Sequence, residues 1–539
     1  MTRAGRPPGQ SARLVATGIL LSRVAGMVRE VALARYLGTS SFASAFRAGL
    51  RLPNVLQNLL GEGTLSASFI PVYVRLLERG DERNAGRLAG TILSLLFIGV
   101  GTLSLAGALL APLLIRIAMP GFSPEVRDAT VRCARILFPM TAVLALSAWA
   151  LGILNSHRRF FISYSAPVVW NVAIIAVLVT AAGRLSGADF VVAASWGALI
   201  GGFAQFAVQL PWLLRLQRSI RLRPDIRMPE VREVLSNAGP AILGRGAVQL
   251  STYVDLFLAS FLFDGAVAAL NYAQTLYVLP VSLFGMAVAA AELPELAREE
   301  SSAAALRARL AGGLGRIAFF VVPSAVAYLL LGDVIIAALL QRGRFEAADT
   351  HLVQFILAAY AVGLLASTRT RLFASTFYAL GDTRTPARVA ALRVLGAALL
   401  GGAFMLLFED WGVRAGPFDL VAVTDPARVR PLGSAGLALG AGIAAWFEWS
   451  LLRKRLEHRL GSSLRSPFVG RLIVAALAGA VLARLTGALL PPDTGHVLRA
   501  AAVLPVFGAV YLALSALFGV PTTRAVLRRF RAAPRNGAG

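Results

Sequence analysis

Cysteine occurs once, at Cys133, so no intramolecular disulfide can staple this 539-residue chain. Histidine occurs four times, at His157, His351, His458 and His496, too scattered for any metal-ligand spacing. Charge is sparse and one-sided: 15% of residues are charged, with 28 Asp+Glu against 53 Lys+Arg. A composition 57% hydrophobic with a mean hydropathy of +0.69 is far from that of a soluble protein. The arginines fall mostly between apolar runs, which is the positive-inside pattern and not a nucleic-acid patch, so no nucleic-acid partner is expected. The polar, Pro/Gly-rich start Met1–Arg13 lacks a cleavage-site pattern and reads as a cytoplasmic tail, not a signal peptide.

What is present is a long series of apolar runs. A membrane span needs about 20 mainly apolar residues. Fourteen segments qualify: 13–38, 46–75, 87–116, 131–155, 163–183, 190–215, 235–262, 267–297, 309–331, 351–380, 386–408, 433–456, 468–489 and 497–519. The expected fold is therefore an all-α polytopic membrane protein. Basic connections (75–87, 157–159, 214–232, 298–309, 384–388, 453–471 and the tail after 524) alternate with mixed or acidic ones (122–128, 263–265, 409–431, 491–495). An even span number with this asymmetry puts both termini in the cytoplasm.

The chain also repeats itself. Arg87-Leu88-Ala89-Gly90 recurs as Arg309-Leu310-Ala311-Gly312, and at nearly the same offset of about 222 positions Arg23 meets Arg245, Gly63 meets Gly285, Pro71 meets Pro294 and Arg75 meets Arg298. Each match is weak alone; their shared offset makes two homologous six-span halves in the same orientation. The expected organisation is a tail over 1–12, an N-lobe over 13–218, a C-lobe over 235–457, an extra helix pair over 467–520 and a basic tail over 521–539. Parallel repeats of this kind build transporters, with the substrate site between the lobes. Spans 1, 2, 7 and 8 are expected to line a cavity there.

Charge sits where a membrane protein tolerates it least. Arg23, Arg29 and Glu30 interrupt the first apolar run, and Arg47, Arg51, Asn54, Asn58 and Glu62 the second. An ionised group at bilayer depth costs several kcal/mol at least, so it faces a protein interior or a water-filled cavity. Residues of the second set step by three or four along one helical stripe, which makes spans 1 and 2 walls of a basic chamber. Arg47 and Arg51 have a second reading, in which their long stems let them snorkel to the interface. Pro53, Gly61 and Gly63 mark span 2 for bending, and Pro280 does so for span 8. Asp255, Glu292 and Arg393 are further intramembrane ionisable residues; Asp255 is a candidate ligand for a coupling cation, with a paired structural carboxylate as the alternative.

The run Ser22-Arg23-Val24-Ala25-Gly26-Met27-Val28-Arg29-Glu30 resembles the start of the MurJ/MviN family of lipid II flippases. Leu52-Pro53-Asn54, Glu62-Gly63, Phe69-Ile70-Pro71, Ile153-Leu154-Asn155-Ser156, Ala166-Pro167 with Asn171, the stretch Gly239-Pro240-Ala241-Ile242-Leu243-Gly244 and Thr385-Pro386 extend the resemblance through nearly the whole chain. It implies two six-helix lobes plus two helices. It implies as substrate an undecaprenyl-diphosphate sugar–peptide carried between leaflets of the bacterial inner membrane, with cell-wall enzymes as candidate partners. Arg23, Arg29, Arg51 and Arg245 become the expected substrate-binding set, and Glu62, Gly63, Pro53 and Asp255 the expected gating or coupling set. No enzyme activity, cofactor or metal is implied, and the driving force is left to the membrane potential or a monovalent cation. Three departures weaken the substrate assignment more than the fold. Ser44 stands where the family usually has an acid, Gln57-Asn58 where it often has an arginine, and Gln274-Thr275 where it has Asp-Arg. A flippase for another lipid-linked oligosaccharide, a membrane glycosyltransferase and a non-transporting cell-wall scaffold are the competing readings.

Overall fold

The computed structural model describes residues 8–220, 224–286, 288, 303–413, 420–422, 430–462, 464 and 468–524. Contacts divide the chain into two compact units, Met1–Ala268 and Ala269–Gly539. The first holds α1 (Pro8–Leu37), α2 (Ser41–Leu60), α3 (Glu62–Glu78), α4 (Glu82–Leu109), α5 (Ala111–Ala118), α6 (Pro124–Ser156), α7 (Phe160–Ala181), α8 (Gly187–Leu216) and α9 (Pro229–Ala259). Here α6 is the central element, packed on α2, α4 and α8, while α1 lies along α7. Phe69, Val72 and Tyr73 of α3, Leu88 of α4, Trp149 and Ile153 of α6, Leu213 of α8 and Val231 and Val234 of α9 share one buried cluster. Helix α9, expected from the sequence to open the C-lobe, belongs instead to the first unit by its contacts. Ion pairs Arg75–Glu233 at 2.5 Å and Arg87–Asp225 at 2.9 Å add exposed links at the same end.

The span expected over 46–75 is two helices. Gly61 ends α2, and its N–H donates to the Gln57 carbonyl at 2.7 Å. A Cβ at Gly61 would lie 2.3 Å from that carbonyl oxygen, so only glycine fits. The Thr64 hydroxyl takes the Leu59 carbonyl that the break releases, at 2.5 Å. In lipid, freed backbone groups must be satisfied within the protein, and Ser/Thr side chains are a common means.

The second unit contains α10 (Ala266–Pro280, continuing as a π-helical turn Val281–Met286), α11 (Ala303–Leu330), α12 (Gly332–Leu340), α13 (Ala347–Val362), α14 (Leu364–Ala379), α15 (Arg384–Glu409), α16 (Gly433–Leu460), α17 (Val469–Leu489) and α18 (His496–Leu517). The π turn interrupts the α-helical ladder about 222 positions after the break at Gly61, the offset of the repeat expected from the sequence. Helices α15 and α16 form the closest pair, because glycines face each other: a Cβ at Gly440 would lie 2.2 Å from the Gly401 nitrogen, and one at Gly436 2.3 Å from the Phe404 carbonyl oxygen. Asp382 starts α15 by accepting the Thr385 N–H at 2.9 Å; that bond, with Arg459 beside it, holds its carboxyl below the usual carboxylate range. The extra pair α17–α18 docks on α11 and α12: both Arg484 terminal nitrogens donate to Asp333 at 2.7 Å, and the Tyr511 hydroxyl donates to the Phe319 carbonyl at 2.5 Å. The long connection expected over 409–431 contains a small antiparallel sheet in the order β2-β1-β3, from β1 (Trp411–Val413), β2 (Leu420–Ala422) and β3 (Arg430–Pro431), with Gly412 opposite both Val421 and Pro431.

Among the described residues, ten helices are long and apolar enough to cross a membrane, or eleven when α13 and α14, bent by 43°, count as one span. Helices α1, α2, α3 and α9 do not meet that standard, and they carry most of the charge singled out above, Arg393 of α15 being an exception. The tails over 1–7 and 525–539 and the expected intramembrane Glu292 lie outside the described residues.

The α15–α16 seam can be tested directly. Gly440→Ala forces the two backbones apart and should cost about 1–3 kcal/mol, the usual penalty for overpacking. Gly470→Ala, where a Cβ would meet nothing within 4 Å, should leave the melting temperature of the purified protein in nanodiscs within experimental scatter. Equal melting temperatures for the two variants would contradict the seam.

Candidate functional site

The site is built on the first two helices. On α1, Arg23 is exposed, Arg29 is half-buried and Glu30 is buried at 4% relative exposure. One helical turn separates neither pair cleanly from the next, so charge runs down the C-terminal half of α1. On α2, Arg47 is buried at 7% and Arg51 is half-buried. Glu30 is shared: one carboxylate oxygen accepts from Arg29 at 2.7 Å, and the other accepts from Arg47. The Arg29 guanidinium also lies over the Trp170 ring of α7, 4.8 Å from its centroid. The indole N–H is tied in turn to the Ala198 carbonyl of α8 at 3.0 Å.

This arrangement has a net charge of +1. Two guanidinia and one carboxylate at bilayer depth are tolerable because each is paired, which a lone ion there is not. The Glu30 charge fixes the arginine geometry, and the Trp170 face adds a cation–π contact typically worth 0.5–2 kcal/mol. Arg47 does not snorkel; it is a structural partner of Glu30. Arg29 is paired with Glu30, yet stays 20% exposed at its side chain. Arg23 is exposed, as is Arg35 in the last turn of the helix.

Other expected residues are distributed as follows. Pro53 is buried within α2, and Gly63 lies in the first turn of α3, just after the break. Arg51 is the charged neighbour of Tyr253 on α9, which brings α2 and α9 together within the first unit. Asp255 is half-buried two residues further along α9. The side chains of Glu62 and Arg245 lie outside the described residues, though both positions are helical. Ser44, where an acid was expected, is buried and accepts the Ala268 N–H at 3.1 Å. Thr275 turns its hydroxyl back to the Asn271 carbonyl at 2.9 Å. Among the described residues no group of three or more His, Cys, Asp or Glu could hold a metal ion. Besides Asp349 in the first turn of α13, two buried charged residues escaped the sequence analysis, Arg369 of α14 and Glu448 of α16, at 6% and 7% exposure. Each is an ionisable residue inside an apolar run, the same signal that marked Arg23 and Arg29.

Comparison with known proteins follows from this geometry. The family described as lipid II flippase MurJ matches residues 33–417. The chain belongs to the MurJ family. The probable lipid II flippase MurJ of Rhizobium tropici is 33% identical over 461 residues, 80% of this chain and 81% of the relative. The lipid II flippase MurJ of Burkholderia cenocepacia is 30% identical over 448 residues, 82% of each. Among solved structures, a lipid II flippase MurJ in an inward closed conformation aligns with a TM-score of 0.75 at 21% identity, covering 94% of this chain and 98% of that one. An inward-facing multidrug resistance MATE family transporter of the MOP superfamily aligns with a TM-score of 0.58 at 17% identity, covering 85% and 96%. At these identities the structural likeness speaks for the fold alone. The MurJ match begins at Leu33, after Arg23, Arg29 and Glu30, so the α1 charges are argued from their own geometry.

Glu30→Gln leaves Arg29 and Arg47 facing each other without their acid. Breaking a buried pair this way typically costs 3–5 kcal/mol. Adding Arg47→Met to the same chain should recover part of that loss, because the uncompensated cation goes with it. Thermal unfolding of both variants in nanodiscs checks the order; a double variant no more stable than Glu30→Gln would mean that the three charges are not one unit.

Proposed function

We propose that this chain is a lipid II flippase, carrying the undecaprenyl-diphosphate-linked peptidoglycan precursor from the inner to the outer leaflet of the bacterial inner membrane by alternating access. Membership of the MurJ family is the observation that carries the reading. The chemistry of α1 and α2 agrees with it. A diphosphate needs cations, and the planar guanidinium fork suits phosphate oxygens better than a point charge does. Arg23, Arg29 and Arg51 supply accessible guanidinium character on adjoining helices, with Arg245 as a fourth expected member. The lipid tail can remain in the bilayer while the headgroup alone is handled, and no covalent step is needed.

Under this reading the protein has fourteen spans. The ten or eleven apolar ones are joined by α1, by the broken pair α2–α3 and by α9, which are polar because they serve the headgroup and not the lipid. Both termini then lie in the cytoplasm. Bending at Gly61–Gly63 and at Pro53 supplies the gating movement, and Asp255 is the candidate for coupling to a monovalent cation or to the membrane potential. Cell-wall enzymes are the expected partners. The replacements at Ser44, Gln57 and Thr275 favour a second substrate of the same chemistry, another undecaprenyl-diphosphate glycan, as the runner-up.

Depleting the resident lipid II flippase of a bacterium while expressing this chain tests the proposal, and growth is the expected outcome. Each charge-assisted contact is worth about 1.5–3 kcal/mol, so Arg23→Ala and Arg245→Ala should each weaken lipid II binding roughly tenfold or more. Failure to sustain growth, together with flipping of a different undecaprenyl-diphosphate glycan in proteoliposomes, would transfer the assignment to the runner-up. Full activity of Arg245→Ala beside an inactive Arg23→Ala would leave Arg245 a topological residue.

A further inference from the structure

Among the described residues Arg369 has no counter-ion. It lies on α14, about 15 Å from the C-terminal end of that helix at 1.5 Å per residue, and is 6% exposed. Its Nε and Nη2 are buried without a hydrogen-bond partner, and no ion pair reaches it among the described residues. Its charged neighbour is another cation, Arg453 of α16. The two helices run side by side in register: the Trp446 indole donates to the Val362 carbonyl at 2.7 Å, Gly363 abuts Gly442, and Arg459 stacks over Phe377 at 5.3 Å. Arg369 therefore falls level with Trp449–Arg453. In that layer the Trp449 Nε1 and the Thr370 hydroxyl are also buried and unpartnered, and Arg453 lies over the Trp449 ring at 5.2 Å.

The nearby acids are engaged elsewhere. Glu448 faces Arg393 of α15 at 3.4 Å, and Glu457 accepts from Arg453 at 2.8 Å and from the Leu464 N–H at 2.7 Å. The Arg369 guanidinium, the Trp449 indole N–H and the Thr370 hydroxyl, with no uncommitted carboxylate among the described residues of the layer, are donors with nothing to accept from them. A buried charge of this kind is held only when it is compensated. We infer that the second unit binds a small inorganic anion of the halide class between α14 and α16, on Arg369 with Thr370 and Trp449 around it. A monatomic, singly charged ion suits a site closed between packed helices, where a larger and more highly charged oxyanion loses more hydration on entry. The site is separate from the charges of α1 and α2, and the inference does not depend on the substrate proposed above.

The experiment is thermal unfolding of the full chain in nanodiscs, in sodium chloride against sodium gluconate at equal ionic strength. Chloride should raise the melting temperature by about 3 °C or more at saturation, as expected for a ligand that binds only the folded state. Arg369→Gln should abolish the difference, while Arg371→Gln, an exposed arginine of the same helix, should keep it. Absence of a chloride effect in the unmodified protein, or its persistence in Arg369→Gln, overturns the inference. So does stabilisation by phosphate alone, which would make the ligand an oxyanion. Should Arg369→Gln fail to fold, bromide anomalous scattering from crystals of the unmodified protein decides: a peak beside Arg369 supports the site, and its absence rules the site out.

Discussion

A charge inside a membrane must be compensated within the protein, and that constraint organises the first unit. Glu30 is the pivot. By accepting from Arg29 and Arg47 it pins α1 to α2, and through Arg29 and Trp170 the same charge is tied to α7 and then α8. Four helices are thus fixed around one carboxylate. Apolar packing alone gives little directional preference between helices in lipid, whose tails are as apolar as leucine. A shared ion pair supplies the direction that leucine cannot, and it leaves one positive charge in excess.

The second unit meets the same constraint by other means. Its tightest seam is made of glycines and not of charge: α15 and α16 approach until the Gly440 and Gly401 backbones touch. Where charge does occur, it joins peripheral helices to the body, as in the two-pronged contact of Arg484 with Asp333. Among the described residues, Arg369 is a buried cation that none of these devices satisfies. The two units therefore differ in what holds them: an ion cluster in one, close backbone contact in the other.

Much of this was legible in the residues. Hydropathy and the alternation of basic connections gave a helical, multi-pass membrane protein, and helices stand at each of the expected apolar segments. The spacing of Arg23, Arg29, Arg47 and Arg51 pointed to α1 and α2. The sharing of Glu30 between two arginines was not readable, because it depends on the side-to-side approach of helices 17 residues apart in sequence, which periodicity does not encode. For the same reason Arg47 read as a chamber wall or an interface anchor when it is an internal partner. Arg369 was hidden by composition: it and Arg371 together scarcely lower the hydropathy of a long window over Leu364–Phe377, and its isolation appears only when its neighbours are known. The small sheet around Trp411 was missed because its strands are two or three residues long, too short for any alternation to show.

The two interruptions of the helical ladder carry one more implication. At Gly61 the chain stops one helix and begins another, and the Thr64 hydroxyl covers the exposed carbonyl; at Val281–Met286 the corresponding stretch instead widens into a π turn. An ordinary α-helix resists bending because each bend strains bonds already made. A segment whose bonds are rerouted in advance is mechanically compliant, since flexing it exchanges partners and does not strip them. Each of the two segments has its own chemistry for keeping such a soft point sealed against oil: a hydroxyl on the freed carbonyl in one, a widened turn in the other.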